Sequence, residues 1–468
     1  MSYLLGKTHR LNPYLFLPSV QGNLHYVEIS KGGKKMAISP NPIVEPQGAP
    51  IPKTFWEYVR SFGPGIVVVL TWLGAGDLVD CSVAGAHYGY ALMWGLALAL
   101  LVRYALVSII AKYQLMNIQG HTILEGYSKV FRLYPFILGL GGVALGHFYE
   151  SYTISGSGTA LYHLTGIGSP LIWSIIAVIA AVGITGRTIY NYLELAEKII
   201  LGFLAISLIG GAIAVKPNIG EIVKGTFAFA VPEQVGPFGA IMVVVSLIGA
   251  VGGSLANLLY PTFMRQKGYI RPEHRRVQMY DMLFGIIVII VLDLAVWVMG
   301  AEVLHPRGIT ISNFTDLARL LGEMLGRFGE VLIYLGVLGA CFSSVIGYAD
   351  GFPRMAMEGL YASMPERKAK YGNNYARDPI FRIFYFLVAI FPLIWSIPGM
   401  PGFIWLTVVV NAAQIILLPL VSIGLLVLIN RKDILGKEAG RPLDNILLIF
   451  LTVLAFWGAY QTAIGLFK

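Results

Sequence analysis

The stretch GIVVVLTWLGAGDLVD, residues 65–80, places glycines and acids inside an otherwise apolar run. Aliphatic residues lead into Gly74 and Gly76. Two acids, Asp77 and Asp80, follow at once. An ionisable side chain inside a membrane span is costly, and such residues usually have a function. The stretch therefore predicts a membrane helix that is interrupted by glycine and has acidic side chains beside the interruption.

The composition supports a polytopic membrane protein. The chain is 56% hydrophobic and 13% charged, whereas soluble domains carry about 25% charged residues. Apolar segments of about 20 residues can cross a hydrocarbon core about 30 Å thick. We predict an all-α protein with about eleven spans, numbered in chain order, near residues 62–88, 91–115, 134–163, 169–190, 194–215, 237–264, 278–304, 328–352, 379–398, 402–430 and 443–466.

The net charge of +9 follows membrane topology, so it does not indicate nucleic-acid binding. If residues 1–60 form a cytoplasmic tail, about 26 of the 34 lysines and arginines lie on the cytoplasmic side, against about six outside. This asymmetry predicts a multi-pass protein of the cell membrane, in contact with the lipid bilayer, with residues 61–468 as its transmembrane domain. The two cysteines, Cys81 and Cys341, lie in predicted spans and indicate no disulfide framework. The sequence carries no signal for an oligomeric state.

Two similar stretches indicate an internal repeat. GIVVVLTWLGAG begins at residue 65 and AIMVVVSLIGAV at residue 240, so residues 73–75 align with residues 248–250. The second stretch continues into Gly252 and Gly253. Paired helices with glycine breaks at corresponding positions are typical of inverted-repeat transporters. We predict repeats over residues 61–215 and 236–430 and an extra helix over residues 443–466.

The breaks matter because lipid offers no hydrogen-bond partners to an unwound backbone. Such a segment lines a site in which carbonyl groups and half-helix C-termini favour cations, and Asp77 lies where its carboxylate can complete a cation site. The alternative is that the glycines only allow close helix packing. Asp80, one turn further along, is expected to line an outer vestibule and concentrate cations.

Several stretches resemble the Nramp family of divalent metal transporters, which share the two-repeat fold of the leucine transporter. Residues 62–466 carry the resemblance, and its motifs are GPGIVVVLTWLGAGDLVDCSVAGAHYGYALMW (63–94), GHTILEGYSK (120–129), MGAEVLH (299–305), SSVIGYADGFPRMAMEGL (343–360) and NAAQIILLPLVSIGLLVL (411–428). The resemblance implies a secondary transporter that works by alternating access, with a divalent metal as substrate and no cofactor. No nucleophile or phosphate-loop motif indicates an enzyme.

The chain departs from the family at two hallmarks. The family's Asp-Pro-Gly-Asn in its first helix reads Gly-Ala-Gly-Asp at residues 74–77, and its Met-Pro-His in the sixth helix reads Gly-Ser-Leu at residues 253–255. The thioether and the imidazole are lost, and oxygen ligands suit Mg²⁺ or Mn²⁺. The chain therefore looks closer to the Nramp-related magnesium transporters than to the family's iron or manganese importers. The roomy break at Gly252 and Gly253 leaves a small organic solute as the alternative substrate.

The resemblance also assigns further polar residues. Asn411 falls where the family has a glutamine near the ion, Asp293 replaces a family asparagine, and Glu125 matches a glutamate of the family's proton route. His147 and Glu150 lie three residues apart and are either a proton relay or isolated polar contacts. The predicted substrate site contains Gly74, Ala75, Asp77, Ala250, Gly253, Ser254 and Asn411; the predicted proton or auxiliary residues are Asp80, Glu125, His147, Glu150 and Asp293.

Proton coupling stays open at this point. The histidine that follows the family's sixth-helix methionine is absent, and histidine is the side chain that most readily changes charge near neutral pH. A facilitator driven by the membrane potential is therefore at least as well supported as a proton symporter. Arg103 is expected to pair with an intramembrane acid or to snorkel.

Overall fold

The computed structural model describes residues 48–61, 74–184, 189–253, 255–372 and 374–467. Most of the predicted N-terminal tail and the first half of predicted span 1 lie outside these ranges. The described α-helices are, in chain order, α1 (Phe55–Ser61), α2 (Ala75–Tyr88), α3 (Met93–Met116), α4 (Ile123–Ser128), α5 (Tyr134–Thr165), α6 (Pro170–Ile184), α7 (Ile189–Ala214), α8 (Ile219–Phe227), α9 (Ala240–Leu247), α10 (Tyr260–Gln266), α11 (Arg275–Met299), α12 (Phe314–Ser363), α13 (Pro365–Tyr371), α14 (Pro379–Ala389), α15 (Phe403–Gln414), α16 (Leu418–Ile429), α17 (Lys432–Leu435) and α18 (Pro442–Phe467).

The described part of the chain contains seven helices that are long and apolar enough to cross a membrane, or nine if each of two bent pairs counts as one span. The bent pairs are α5 with α6, at 117°, and α7 with α8, at 105°. All eleven predicted spans have a helical counterpart in the same order. Helices α5 and α12 pack along each other at the centre of the bundle, and the all-α prediction is confirmed.

Two predicted boundaries are wrong. The break predicted at residues 191–193 does not exist, because α7 already begins at Ile189 and α6 ends at Ile184. The polar residues that suggested a break belong to the first turns of α7. Predicted span 8, residues 328–352, begins directly after a non-helical kink at Gly326, with a φ of 58°, that divides α12 into two helical segments; its end is wrong, because the second segment continues to Ser363. The amphipathic outer part of α12 lacks the apolar run on which the prediction relied.

The predicted interruption of span 6 is present and is shorter than expected. Helix α9 passes into a π-helical turn, Ile248–Gly252, so these residues are not unwound. Gly253 leaves the helix, and a 3₁₀ turn, Leu255–Leu259, leads into α10. Predicted site residue Ser254 lies outside the described residues. Short π-helical turns of this kind occur most often at functional sites.

Span 1 resumes as a helix at Ala75, two residues earlier than the predicted restart after Gly76. Gly74 is the N-cap of α2, with an extended backbone at φ −70° and ψ 162°, and Ala75 is already helical. The predicted unwinding of residues 74–77 is therefore limited to Gly74 within the described part of the chain. Everything before Gly74 in this span falls on residues that the structure does not describe.

Glycines also allow helices to touch through their backbones. A Cβ on Gly85 of α2 would lie 2.4 Å from the carbonyl oxygen of Trp297, and one on Gly300 would lie 2.9 Å from that of Ser82. The same holds beside the break, where a Cβ on Gly249 would lie 1.8 Å from the carbonyl oxygen of Asn411. Close packing is therefore one role of these glycines, alongside interruption of the helix.

Candidate functional site

Three buried aspartates lie at the contact of α2 with α11. Asp77 is 4% exposed, Asp80 is 1% exposed and Asp293 of α11 is fully buried. The three carboxylates are close enough to interact electrostatically, and the guanidinium of Arg103 on α3 interacts with Asp77 and Asp293. Charges buried in this way are costly unless they are paired. The sequence predicted Asp77, Asp80 and Asp293 separately, and the fold brings them together.

Asp77 lies in the first turn of α2. Its carboxylate accepts a hydrogen bond from the backbone of Gly74, the N-cap residue. The first amide groups of a helix have no partner within the helix, and the helix dipole is positive at this end, so an acid here is favoured. Gly74 therefore both caps α2 and bonds the carboxylate of Asp77.

A chain of hydrogen bonds leads from Asp80 across the bundle. The Asn411 Nδ2 group donates to Asp80 Oδ2 at 2.9 Å, and Gln414 Nε2 donates to Asn411 Oδ1 at 2.8 Å. The Tyr149 hydroxyl donates to Gln414 Oε1. All four residues are at most 4% exposed. These hydrogen bonds join α2, α15 and α5. We had expected Asp80 to line an outer vestibule, and its burial in this network shows that this expectation is wrong.

Several polar atoms at this site lack a hydrogen-bond partner among the described residues. By strict geometry they are Asp80 Oδ1, both carboxylate oxygens of Asp293 and the hydroxyl of Ser246, although the Ser246 hydroxyl interacts with the Asp80 carboxylate. Within the same part of the chain, no three His, Cys, Asp or Glu side chains are grouped closely enough to hold a metal ion. A cation at this site would therefore need amide or backbone oxygens in addition to the carboxylates.

The remaining predicted substrate residues belong to the interrupted helix. Gly253 is buried and its N–H donates to the carbonyl of Ile248 at 2.7 Å, while Ala250 is half-buried in the π-helical turn. Gly252 is close to α3, where a Cβ would lie 2.5 Å from the carbonyl oxygen of Ala99. This contact fixes the interrupted helix against the helix that carries Arg103.

The two residues of the predicted His147–Glu150 pair have different partners. His147 Nδ1 lies 3.0 Å from the carbonyl oxygen of Leu387, and the Trp395 indole N–H donates to His147 Nε2 at 3.0 Å. Glu150 is fully buried and accepts a hydrogen bond from Thr153 Oγ1 at 3.1 Å. Both nitrogens of His147 thus contact residues at α14 and the turn after it, and Glu150 contacts its own helix.

Glu125, the residue predicted for the proton route, lies in the first turn of α4. It forms a capping box with Thr122 at the start of α4, where each side chain bonds the other's backbone N–H. Its carboxylate also lies 3.6 Å from Lys368 Nζ. These contacts give Glu125 a structural role at this helix terminus.

Sequence reasoning missed Gln414 and Tyr149. Gln414 is three residues after Asn411, so the two share a helix face, and a polar pair in an apolar run is a usable signal. Tyr149 carries no such signal, because its partner comes from a distant part of the chain. Its ring is held by Phe352, at 5.5 Å between centroids, and by Tyr348, at 5.0 Å.

A bundle of apolar helices with a broken helix and a buried polar cluster beside the break defines a polytopic membrane protein with a polar site inside the bundle. Residues 65–464 match the family described as natural resistance-associated macrophage protein-like, Nramp, and the chain belongs to this family. Membership in this transporter family agrees with the absence of enzyme motifs noted in the sequence.

Relatives and solved structures agree with this assignment. The divalent metal cation transporter MntH of Chromohalobacter salexigens is 21% identical over 326 residues, which cover 65% of this chain and 71% of the relative. The metal transporter Nramp3 of Oryza sativa subsp. japonica is 24% identical over 315 residues, covering 63% and 55%. A manganese transporter from Eremococcus coleocola has a similar structure, with a TM-score of 0.68 and 17% identity over 92% of both chains. The predicted leucine-transporter-like fold is confirmed, and of its two predicted broken helices the described residues show the interruption of span 6.

Proposed function

We propose that the chain is a secondary transporter of divalent metal cations that works by alternating access and prefers oxygen ligands, with Mg²⁺ or Mn²⁺ as substrate. The buried charge supports this most directly. Asp77, Asp80 and Asp293 carry three negative charges and Arg103 one positive charge, which leaves two negative charges when all four are ionised. A divalent cation neutralises this remainder, and neutralisation removes the main cost of burying the carboxylates.

The donors at the site support a hard cation. The described oxygens near the break are carboxylates, the Asn411 amide and backbone carbonyls, and residues 253–255 replace the family's methionine and histidine. Oxygen donors suit Mg²⁺ and Mn²⁺, whereas a thioether favours softer metals. We place Gly74, Ala75, Asp77, Ala250, Gly253, Ser254 and Asn411 around the substrate.

Proton coupling is not part of the proposal. Both nitrogens of His147 have partners, and Glu125 caps a helix, so neither is poised as a proton carrier. Two charges crossing a potential of 100 mV gain about 4.6 kcal/mol, which is enough to drive uptake without protons. The distribution of lysine and arginine supports a cytoplasmic N-terminus and a place in the cell membrane.

Proteoliposome uptake with a panel of cations tests the proposal. We expect Mg²⁺ or Mn²⁺ to be taken up in response to an inside-negative potential, with little competition from Cd²⁺. Asp77→Asn preserves the volume and removes a charge, so uptake should fall to background. Asp433→Asn, at an exposed loop pair with Arg431, is the matched control and should transport normally.

Three results would contradict the proposal. Preferential Cd²⁺ uptake would show that oxygen donors do not set the selectivity. Undiminished uptake by folded Asp77→Asn would remove the carboxylate from the site. Transport of an amino acid or sugar, with no response to divalent cations, would establish the organic-solute alternative.

A further inference from the structure

We propose that Asn411, Gln414 and Tyr149 are positioning residues that orient Asp80 as a second carboxylate ligand of the cation site, with Oδ1 as the ligating oxygen. The proposal rests on the proposed function, because it assigns a role within the same site. It gives Asn411 a second task, orientation of Asp80, in addition to its place around the substrate. It also gives a task to Gln414 and Tyr149, which the sequence did not single out.

The hydrogen bonds run in a single consistent direction when Asp80 is ionised. An ionised carboxylate can only accept, so Asn411 must present its NH₂ group to Asp80 Oδ2. The amide oxygen of Asn411 then faces Gln414, which must donate through Nε2. The Gln414 oxygen in turn faces the Tyr149 hydroxyl, which donates to it. Every donor in the chain therefore points toward Asp80, and the dipoles reinforce one another.

The chain of hydrogen bonds begins at Tyr149, whose ring is held in place by its neighbours. Tyr149 stacks on Phe352 with an angle of 17° between rings and also contacts Tyr348, so helices α5 and α12 hold its hydroxyl in place. The amide of Asn411 cannot turn without breaking both of its bonds. A carboxylate that receives such a fixed donor at Oδ2 is itself fixed in rotation.

The other carboxylate oxygen of Asp80, Oδ1, indicates that this network serves cation binding. A network that served packing alone would satisfy both oxygens, because buried polar atoms are nearly always hydrogen-bonded. Asp80 Oδ1 has no hydrogen bond of ordinary geometry among the described residues, although Asp80 is 1% exposed. The Ser246 hydroxyl interacts with the Asp80 carboxylate but forms no such bond either, so a cation can take this position. Asp77 precedes Asp80 by three residues on α2, so the two side chains share a helix face. The open oxygen is thus available to a cation that Asp77 also binds.

A double-mutant cycle on the full chain tests the role. The variants are Gln414→Leu, Asp80→Asn and the two combined, each measured for Mn²⁺ binding by calorimetry and for the KM and kcat of Mn²⁺ uptake. We expect Asp80→Asn to weaken binding most strongly. Gln414→Leu should raise Kd and KM about tenfold, the size expected for losing support of a charged hydrogen bond, with kcat much less changed. In the Asp80→Asn background the same leucine should have no further effect.

Tyr149→Phe supplies a second cycle if Gln414→Leu folds poorly. It deletes a single oxygen at the far end of the chain, and we expect about a threefold rise in Kd that also disappears with Asp80→Asn. Equal effects of either variant with and without Asp80 would overturn the proposal, as would wild-type Mn²⁺ affinity in Asp80→Asn. Failure of the wild type to bind any divalent cation would instead refute the proposed function itself.

Discussion

Asp293 and Asp378 are both fully buried aspartates, yet their surroundings are opposite. Asp378 is the N-cap of α14 in the loop after α13, and both its oxygens bond the guanidinium of Arg367 at 2.7 Å. It also accepts the N–H of Ile380 at 3.0 Å. Neither oxygen of Asp293 has a partner among the described residues.

The difference separates stability from function. The Arg367 hydrogen bonds hold the pKa of Asp378 below its usual range, so its charge is compensated within the protein and stabilises the loop. The charge of Asp293 is offset only in part, by the more distant Arg103. A buried acid that the chain leaves without hydrogen bonds has a use when a mobile cation supplies the missing partner.

Within this comparison, the largest expected effect is that of Asp293→Asn. Asp293→Asn removes one of the carboxylate charges, so Mn²⁺ uptake should fall about 100-fold, since a unit charge at close range in a low dielectric contributes several kcal/mol to cation binding. The same change should raise the thermal stability of the cation-free protein, because a buried charge without hydrogen bonds is removed. Uptake assays and thermal unfolding with a chelator measure the two effects. A variant that loses stability and transports normally would place Asp293 among the structural acids.

Asp378→Asn should show the reverse pattern. Asparagine remains a good N-cap, so the change isolates the ion pair with Arg367. Because that guanidinium is 27% exposed and partly screened, we expect a loss of about 1 kcal/mol in stability and an unchanged KM for Mn²⁺. Thermal unfolding and uptake on the same preparation are the measurements. An increase in KM would mean that the loop before α14 communicates with the site.

The pH dependence of the stability loss in Asp378→Asn provides a finer test. Since the folded-state pKa of Asp378 is lowered, its stabilisation is complete above the unfolded pKa of about 4 and disappears as the pH falls through the folded value. The stability difference between wild type and Asp378→Asn should therefore be constant from pH 7 to about 5 and shrink below about 4. A difference that persists unchanged at the lowest pH would indicate that the carboxylate acts by shape and not by charge.

The smallest effect is expected at Asp433. Its carboxylate pairs with Arg431 at 2.7 Å in an exposed loop, where water and salt screen the attraction. Asp433→Asn should leave both the unfolding temperature and Mn²⁺ uptake within experimental error. A clear loss of uptake in Asp433→Asn would show that acids outside the membrane contribute to cation capture. Such a result would weaken the contrast between acids such as Asp293, which serve transport, and acids such as Asp378, which serve stability.

Composition and glycine placement predicted the fold well because both reflect the membrane directly. Apolar runs must be long enough to cross the bilayer, and Gly74 and Gly253 mark where the backbone leaves the helix. The first part of α12 was not predicted from the sequence, since amphipathic segments carry no continuous apolar run.

The site was predictable only in part. Acids in apolar runs are visible in sequence, so Asp77, Asp80 and Asp293 were found. Their partners depend on which helices touch, and neither the contact of Tyr149 with Gln414 nor the separation of His147 from Glu150 can be read from local spacing. Periodicity assigns a residue to a helix face, and the packing of the whole bundle decides what that face meets.

The backbone contact between Gly85 and Gly300 restricts how this bundle can move. A Cβ built on Gly85 would lie 2.4 Å from the facing backbone, and one on Gly300 would lie 2.9 Å from it. The two helical segments are thus in direct backbone contact, which opposes sliding of one past the other. We therefore expect a change that exposes the site to one side of the membrane to move α2 and the end of α11 together as one piece. Asp77 and Asp293 travel on that piece, so the carboxylates keep their mutual spacing whichever side is open.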